Sequence, residues 1–485
     1  MTIYLLGLDG ASMNTIRESL RRIHLPNFEK LIHEGSFADL KSVYPYVTAP
    51  AWTTIFSGVN PGKHGIFEMF EVREDKVVPS NMRMTDVPLL WDYLSWAGKR
   101  TLVVGVPFIY PAPKINGIFL TGRFARKLSC YPEEVSSKFD LSGFDYDDLS
   151  MEKKTEKILV EGSDSISTQI LENLKKRTKT ISKMIDSEKW DVVIAVEGLP
   201  DDLLHLSYGN DSTVDEMYLT LDGLLGEILR RMTSSDSLLV FSDHGFCKVE
   251  KVLFINEWLL QKKYIELNET TLSKLLVSLG FDWDSFNQDG LTSKIFRFTL
   301  EHFPWFANKI KNSVRSSMVV DEAKSTNNSR VNAFSINEPL AWLRISKKND
   351  SKPVSQESLV LELEELKKQG LLKNVFETDK IYSGKFLRYA PGSILVEAPE
   401  GWAIDTLRWN KRSLTGKPLF TKKGVHRREG ALLVYGTKLD LVAPRVHDLV
   451  PTALDMLKLP VRGSLDGRSL VIGRRKQLLE VPQRL

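Results

Sequence analysis

Short apolar runs alternate along this chain with amphipathic segments, the pattern of a sheet with helices packed on its faces. Residues 3 to 8, 101 to 106, 191 to 197, 237 to 242 and 431 to 435 have the length and the Val, Ile and Leu content of buried strands. Between them, Asn27 to His33, Pro88 to Ala97, a long segment around 152 to 186, and Val214 to Met232 read as helices. Gly35 and Gly98 fall just past two of these helices, where a left-handed residue ends the last turn. From 263 to 318 the rhythm changes to an aromatic, basic, helical stretch, with Phe281, Trp283, Phe303, Trp305 and Phe306 crowded together, which reads as an inserted cap. A tract rich in Ser and Asn, Ser325 to Ser329, follows, and strand and helix patterning returns from about Ala341. The expected organisation is α/β, with a core over residues 1–262, an inserted helical cap over 263–318, and the second part of the core over 319–485.

Composition adds bounds to this picture. A chain of 485 residues can bury a large α/β core with an insertion, and its 42% hydrophobic and 26% charged residues are ordinary globular usage. The 66 basic and 62 acidic residues nearly cancel, so no electrostatic footprint for nucleic acid is expected. The clusters Lys175-Lys176-Arg177 and Arg474-Arg475-Lys476 read as a solvated helix face and a tail. Cys130 and Cys247 lie far apart without a C-x-x-C partner, which suits a reducing compartment, and Cys247 reads as a small packed side chain. The chain opens directly on a strand-like run, and its apolar runs are far shorter than the ~20 residues that span a bilayer. The expectation is a cytoplasmic protein with no signal peptide and no membrane span.

The chemistry-bearing residues follow the strands. Asp9, Asp201 and the pair Asp243-His244 each lie at the end of an apolar run or a few residues beyond it, where open α/β sheets gather their ligands. Asp201 and His205 are four apart, on one face if the segment is helical, so both can grip one ion. Asp243 and His244 would diverge in a strand but can converge in a loop, and Gly245 is read as the residue that permits the turn. His426 completes the candidates, whereas His24, His33, His302 and His447 read as structural. His64 belongs with these except that it lies near Thr48. Nitrogen and carboxylate donors without thiolates suit zinc, with manganese next.

Thr48 is the candidate nucleophile. In Val47-Thr48-Ala49-Pro50 and onward to Gly58, Pro50 fits the first turn of a helix and Gly58 its end, so Thr48 is expected near the N-cap. Free backbone N–H groups and the positive end of the helix dipole there would favour a phosphate. A threonine hydroxyl needs a base or a metal to become nucleophilic.

These segments together resemble the alkaline phosphatase superfamily, and within it the type I phosphodiesterase/nucleotide pyrophosphatase-like branch of phosphohydrolases and phosphomutases. Gly7-Leu8-Asp9-Gly10 resembles the family's first metal aspartate, and Thr48 through His64-Gly65-Ile66 its nucleophile segment. Asp201 with His205, Asp243 with His244, and Gly424-Val425-His426 follow in the family's order, before Asp448 to Thr452 and Asp466-Gly467. The resemblance implies a mixed, mostly parallel sheet flanked by helices and two divalent ions, most simply Zn2+, with Mn2+ as the alternative. Asp201, His205 and His426 would hold one ion, with Asp9, Thr48, Asp243 and His244 around the second. It also implies a phosphothreonine intermediate on Thr48 and a small phosphorylated substrate.

Departures from the family limit what carries over. Nucleotide pyrophosphatases of the branch have an asparagine three residues after the nucleophile, and here that residue is Ala51. Lys63, His64 and Arg123 are the candidates for supplying the missing substrate contact. Sulfatases of the superfamily convert a cysteine or serine at the nucleophile position, which Thr48 excludes. The competing readings are a phosphosugar mutase, which shares the phosphoenzyme, and an inactive relative that binds phosphorylated ligands. The oligomeric state is left open, and G-x-G-x-x-G dinucleotide spacing is absent around Gly7.

Overall fold

Three neighbouring parallel strands, Ser237–Phe241, Ile3–Leu8 and Val192–Glu197, lie at the centre of an eight-stranded sheet. The computed structural model describes residues 1–73, 76–144, 163–265, 330–334, 338–346, 354–406, 413–418, 422–461 and 464–472. Most of the expected cap, from residue 266 onward, lies outside the described residues, as do His302, the Ser/Asn tract and the basic cluster at 474 to 476.

Across the sheet the order is Ser36–Lys41, Glu429–Tyr435, Ser237–Phe241, Ile3–Leu8, Val192–Glu197, Thr101–Val106, Gly117–Thr121 and Cys130–Tyr131. The five strands from Ser237–Phe241 to Gly117–Thr121 run parallel. The outer strands are antiparallel to their neighbours. This is the mixed, mostly parallel sheet expected from the sequence. Its central strands read as continuous apolar runs because both faces are covered. Ile3 and Leu5 point into one core with Trp52 and Trp91, while Tyr4, Leu6 and Leu8 point into the other with helices Ser163–Asp186 and Asp211–Arg231. That alternation is the period-2 geometry of a strand.

A second, smaller sheet lies along the chain between His244 and His426. Val331–Phe334, Leu340–Ile345, Ile394–Glu397 and Asn374–Glu377 make a four-stranded antiparallel sheet. Helix Gln356–Lys368 buries Leu359, Leu363 and Leu366 against it. The chain then returns through Gly424–Arg427, which pairs with Gly245–Lys248 and sets Phe246 opposite His426, before re-entering the main sheet at Glu429–Tyr435. Among the described residues no helix is long and apolar enough to cross a membrane.

Several local expectations are corrected. Gly98 is left-handed, with φ +66°, but Gly35 has φ −105° and ends its helix without left-handed geometry. A Cβ at Gly35 would lie 2.3 Å from the Val434 carbonyl oxygen, so close approach explains this glycine. Gly245 likewise is a strand residue, and its Cβ would lie 2.1 Å from the Glu429 carbonyl oxygen, so strand proximity, not turn freedom, requires it. Arg177 is fully buried, not part of a solvated face, and its guanidinium Nε lies 2.7 Å from Glu197.

Candidate active site

The ends of the three central strands bring Asp9, Asp201 and Asp243 to one edge of the sheet. Asp9 follows Leu8 directly, and its N–H donates to the Glu197 carbonyl of the neighbouring strand at 2.9 Å. Helix Leu199–Ser207 starts just after Glu197, and its 3.6-residue period puts Asp201 and His205 on one face. Asp243 and His244 lie in the short link between two strands, as the loop reading required.

These residues form two groups. In the first, His426 Nε2 lies 3.1 Å from Asp201 Oδ1 and 3.1 Å from His205 Nε2, with His205 Nε2 3.5 Å from Asp201 Oδ1. In the second, His244 Nε2 lies 3.1 Å from Asp243 Oδ2 and 3.6 Å from Asp9 Oδ1. The rings of His244 and His426 stack with centroids 3.7 Å apart, so the groups adjoin. Phe246 meets both His205 and His426 edge-on.

Each histidine is oriented by its other nitrogen. Nδ1 of His205 faces the Gly424 carbonyl at 3.1 Å, that of His426 faces the Tyr46 carbonyl at 3.2 Å, and that of His244 faces the Gly245 carbonyl at 3.4 Å. A proton on Nδ1 leaves Nε2 with its lone pair, the arrangement typical of metal-ligating histidines. Asp9 and Asp243 have hydrogen-bond partners on one oxygen only, whereas Asp201 faces His426 through Oδ1 and Arg123 through Oδ2. Trp52 Nε1–H donates to Asp9 Oδ2 at 3.1 Å, and the Gly10 N–H donates to Asp243 Oδ1 at 3.3 Å.

Asp9 Oδ1, Asp243 Oδ2 and His244 Nε2 are buried without a hydrogen-bond partner, and they face one another. A buried unsatisfied polar atom costs about 1–3 kcal/mol, and more when charged, so three converging on one point fit a cation. Burial, with the charges of Asp243 and Asp201, pushes the Asp9 carboxyl well above its usual range. Burial and Asp201 push Asp243 up to about 7. Burial works the same way on Asp201, but His205, His426 and Arg123 outweigh it and hold its carboxyl well below the usual range. Both groups fit a divalent ion by donor type, with Asp-His-His at one and Asp-Asp-His at the other.

Thr48 is the first residue of helix Thr48–Ser57, and Val47, not Thr48, is its N-cap. The Thr48 hydroxyl forms no hydrogen bond with the described residues, and the N–H groups of Thr48 and Ala49 have no acceptor in the helix. The segment is tied to both groups, through the Tyr46 carbonyl to His426 and through Trp52, one turn beyond Thr48, to Asp9. A Cβ at Gly7 would lie 2.4 Å from the Trp52 ring, so the glycine before Leu8-Asp9 admits that indole.

The three residues expected to contact substrate are all engaged with protein. Lys63 pairs with Asp466, which also accepts from the Asn60 N–H at 2.8 Å. His64 lies between Thr54 Oγ1 at 3.0 Å and the Ile66 N–H at 3.1 Å, and burial followed by neighbouring His447 lowers it to about 3. Arg123 donates to the Gly198 carbonyl and to Asp202 at 2.7 Å each, and its Nη1 lies 3.6 Å from Asp201 Oδ2.

Sequence reasoning missed Glu338. Burial opposes its charge, but His426 and Lys422 bring its carboxyl down to about 2. The one signal was an acid placed before the apolar run Leu340 to Leu343, which turns supply routinely.

Compared with known proteins, residues 3–430 match the family model for type I phosphodiesterase / nucleotide pyrophosphatase. No curated protein gives a significant match. Among solved structures, murine ectonucleotide pyrophosphatase / phosphodiesterase 5 is similar with a TM-score of 0.51 and 12% identity, over 97% of each chain. The phosphonoacetate hydrolase of Sinorhizobium meliloti 1021, in complex with phosphonoformate, is similar with a TM-score of 0.53 and 13% identity. That likeness covers 93% of this chain and 94% of the hydrolase. At such identity the likeness establishes the fold, an alkaline-phosphatase-like sheet flanked by helices.

Proposed function

Because the chain belongs to the type I phosphodiesterase / nucleotide pyrophosphatase family, we propose that it is a metal-dependent phosphoesterase acting through Thr48. Asp201, His205 and His426 would hold one divalent ion, and Asp9, Asp243, His244 and the Thr48 hydroxyl would hold another. The observation that carries this reading is the convergence of three buried, unpartnered atoms, Asp9 Oδ1, Asp243 Oδ2 and His244 Nε2. When bound, such ions supply Lewis acidity, lowering the pKa of a coordinated hydroxyl and offsetting charge on the attacking and leaving oxygens.

The residues of the chain do the rest. Thr48 Oγ1 attacks phosphorus, the P–O bond to Thr48 forms, and the bond to the leaving oxygen breaks, the hydroxyl proton ending on that oxygen as it departs as an alcohol. Water then cleaves the phosphothreonine and restores the hydroxyl. The free N–H groups of Thr48 and Ala49, at the positive end of the helix, favour the phosphoryl oxygens. Trp52 and Tyr46 hold the Thr48 segment against Asp9 and His426. Of the three residues expected to touch substrate, Arg123 stands beside a ligand carboxylate, and Lys63 and His64 brace the turn after the helix. With Ala51 buried in place of an amide donor, the substrate is assigned as a small phosphoric ester without commitment to a nucleotide.

The test compares zinc- and manganese-reconstituted protein on p-nitrophenyl phosphate and bis(p-nitrophenyl) phosphate, with sugar phosphates as added acceptors. Diester turnover that a chelator abolishes is the expected result. Transfer of the phosphoryl group to a sugar would instead favour the mutase. Protein that carries both ions and turns over neither ester would leave the phospholigand-binding reading.

A further inference from the structure

Glu338 stands outside both ligand groups yet touches two of their members. Its Oε1 lies 3.7 Å from His205 Nε2, and its Oε2 lies 3.5 Å from His426 Nδ1. The backbone N–H of His426 donates to the same Oε2 at 3.1 Å. Lys422 Nζ donates to Oε1 at 2.6 Å. The carboxylate is buried, with its side chain 5% exposed and that of Lys422 13%.

Its placement is fixed from behind. The Glu338 carbonyl accepts the Ile404 N–H at 2.8 Å, and the next carbonyl, of Pro339, accepts the Ala398 N–H at 2.7 Å. The carboxylate therefore reaches the site from the smaller sheet, while His205 comes from a helix of the main body and His426 from the linking hairpin. Glu338 is not among the residues whose ligand atoms lie within mutual reach of one ion, so it flanks the group. An apolar side chain would fill this space with less desolvation than a buried carboxylate, so packing alone does not account for an acid here.

We propose that Glu338 is a positioning residue for the Asp201-His205-His426 group, fixing the His426 main chain and lending negative charge to the cation site. Lys422 occupies Oε1 and keeps the carboxylate out of the coordination shell. The proposal rests on the reading of that group as a metal site. Outer partners of this kind change metal affinity by about 10- to 100-fold when removed. Without the Glu338 charge, the positive charge of Lys422 still acts on His205 and His426, so its own removal should then recover part of the affinity.

The test is zinc stoichiometry and affinity of the full chain, measured by competition with a chromophoric chelator, with folding checked by urea midpoint. Wild-type protein is expected to bind two ions. Glu338→Gln keeps the side-chain volume and an acceptor for the His426 N–H, and should weaken one ion by roughly 10- to 100-fold while sparing the other. Glu338→Asp should be intermediate, and Glu338→Gln combined with Lys422→Met should recover about tenfold of the loss. A Glu338→Gln protein that binds both ions as wild type does, or loses both equally, overturns the proposal and leaves the phosphoesterase reading standing. Wild-type protein that binds no ion overturns both.

Discussion

The indole N–H of Trp52 donates to Asp9 Oδ2 at 3.1 Å, joining the helix that begins at Thr48 to the carboxylate at the end of the first strand. Thr48 and Trp52 are one turn apart on the same helix face, so the bond that fixes Asp9 also fixes where the Thr48 hydroxyl stands. The remaining oxygen of Asp9 is thereby turned towards Asp243 and His244.

Trp52→Phe removes this donor and keeps most of the ring that fills the space beside Gly7. Zinc affinity is expected to fall roughly tenfold. Stability should fall by about 1–2 kcal/mol as the buried Oδ2 loses its partner. Chelator competition and urea denaturation measure the two effects, and unchanged affinity would mean that the indole does not orient Asp9.

Thr48→Ala is expected to retain zinc to within a few fold, because the carboxylates and histidines remain. Turnover of bis(p-nitrophenyl) phosphate should fall by roughly 10⁴-fold or more, as for loss of a nucleophile elsewhere. Thr48→Ser should keep measurable activity and, on rapid quenching with labelled substrate, a phosphoserine. Undiminished hydrolysis by Thr48→Ala, on protein free of contaminating phosphatase, would sink the mechanism.

The fully buried pair Arg177 and Glu197 anchors the end of the strand whose backbone receives the Asp9 N–H. Arg177→Met removes the cation beside the buried Glu197 carboxyl and leaves it the Leu199 N–H at 3.3 Å, which should cost about 3–5 kcal/mol of stability. Replacing both, as Arg177→Met with Glu197→Leu, should recover most of that loss, since apolar side chains carry no desolvation penalty. Equal destabilisation in the single and double variants, read from urea unfolding, would show that shape and not charge pairing governs this site.

His64 should make the fold sensitive to acid. Its folded pKa is lowered to about 3, first by burial and then by His447, against about 6.5 in the unfolded chain. Between these values the unfolded state binds a proton that the folded state does not, so stability decreases as pH falls. The contribution is fully present above pH 6.5 and is lost down to about pH 3, by about 1.4 kcal/mol per pH unit. His64→Gln should flatten the dependence of the urea midpoint on pH between 6.5 and 4.5, whatever its midpoint at pH 7. An identical slope in both proteins would rule out His64 as the titrating group.

Strand and helix positions were legible because burial on both faces makes the central strands uniformly apolar, and helix Asp211–Arg231 repeats its apolar face at 3.6 residues. Arg177 was misread because it sits in a basic triplet, although its spacing from Ile170, Leu174 and Ile181 is that of the buried face. Gly35 and Gly245 were assigned the wrong reason, because glycine in a sequence announces either a positive φ or a close approach and does not say which. Glu338 carried no signal of its role, since its partners His205 and His426 are distant in the chain.

The central strands, the fold class and the order of the candidate site residues could be read along the chain, because apolar periodicity and local spacing are properties of consecutive residues. Which carboxylate oxygens lack partners, which histidine nitrogens face the site, and that Trp52 and Glu338 touch its members emerge from packing alone. Those relations join residues far apart in the chain, and they are set by how the strands, helices and linking hairpin pack.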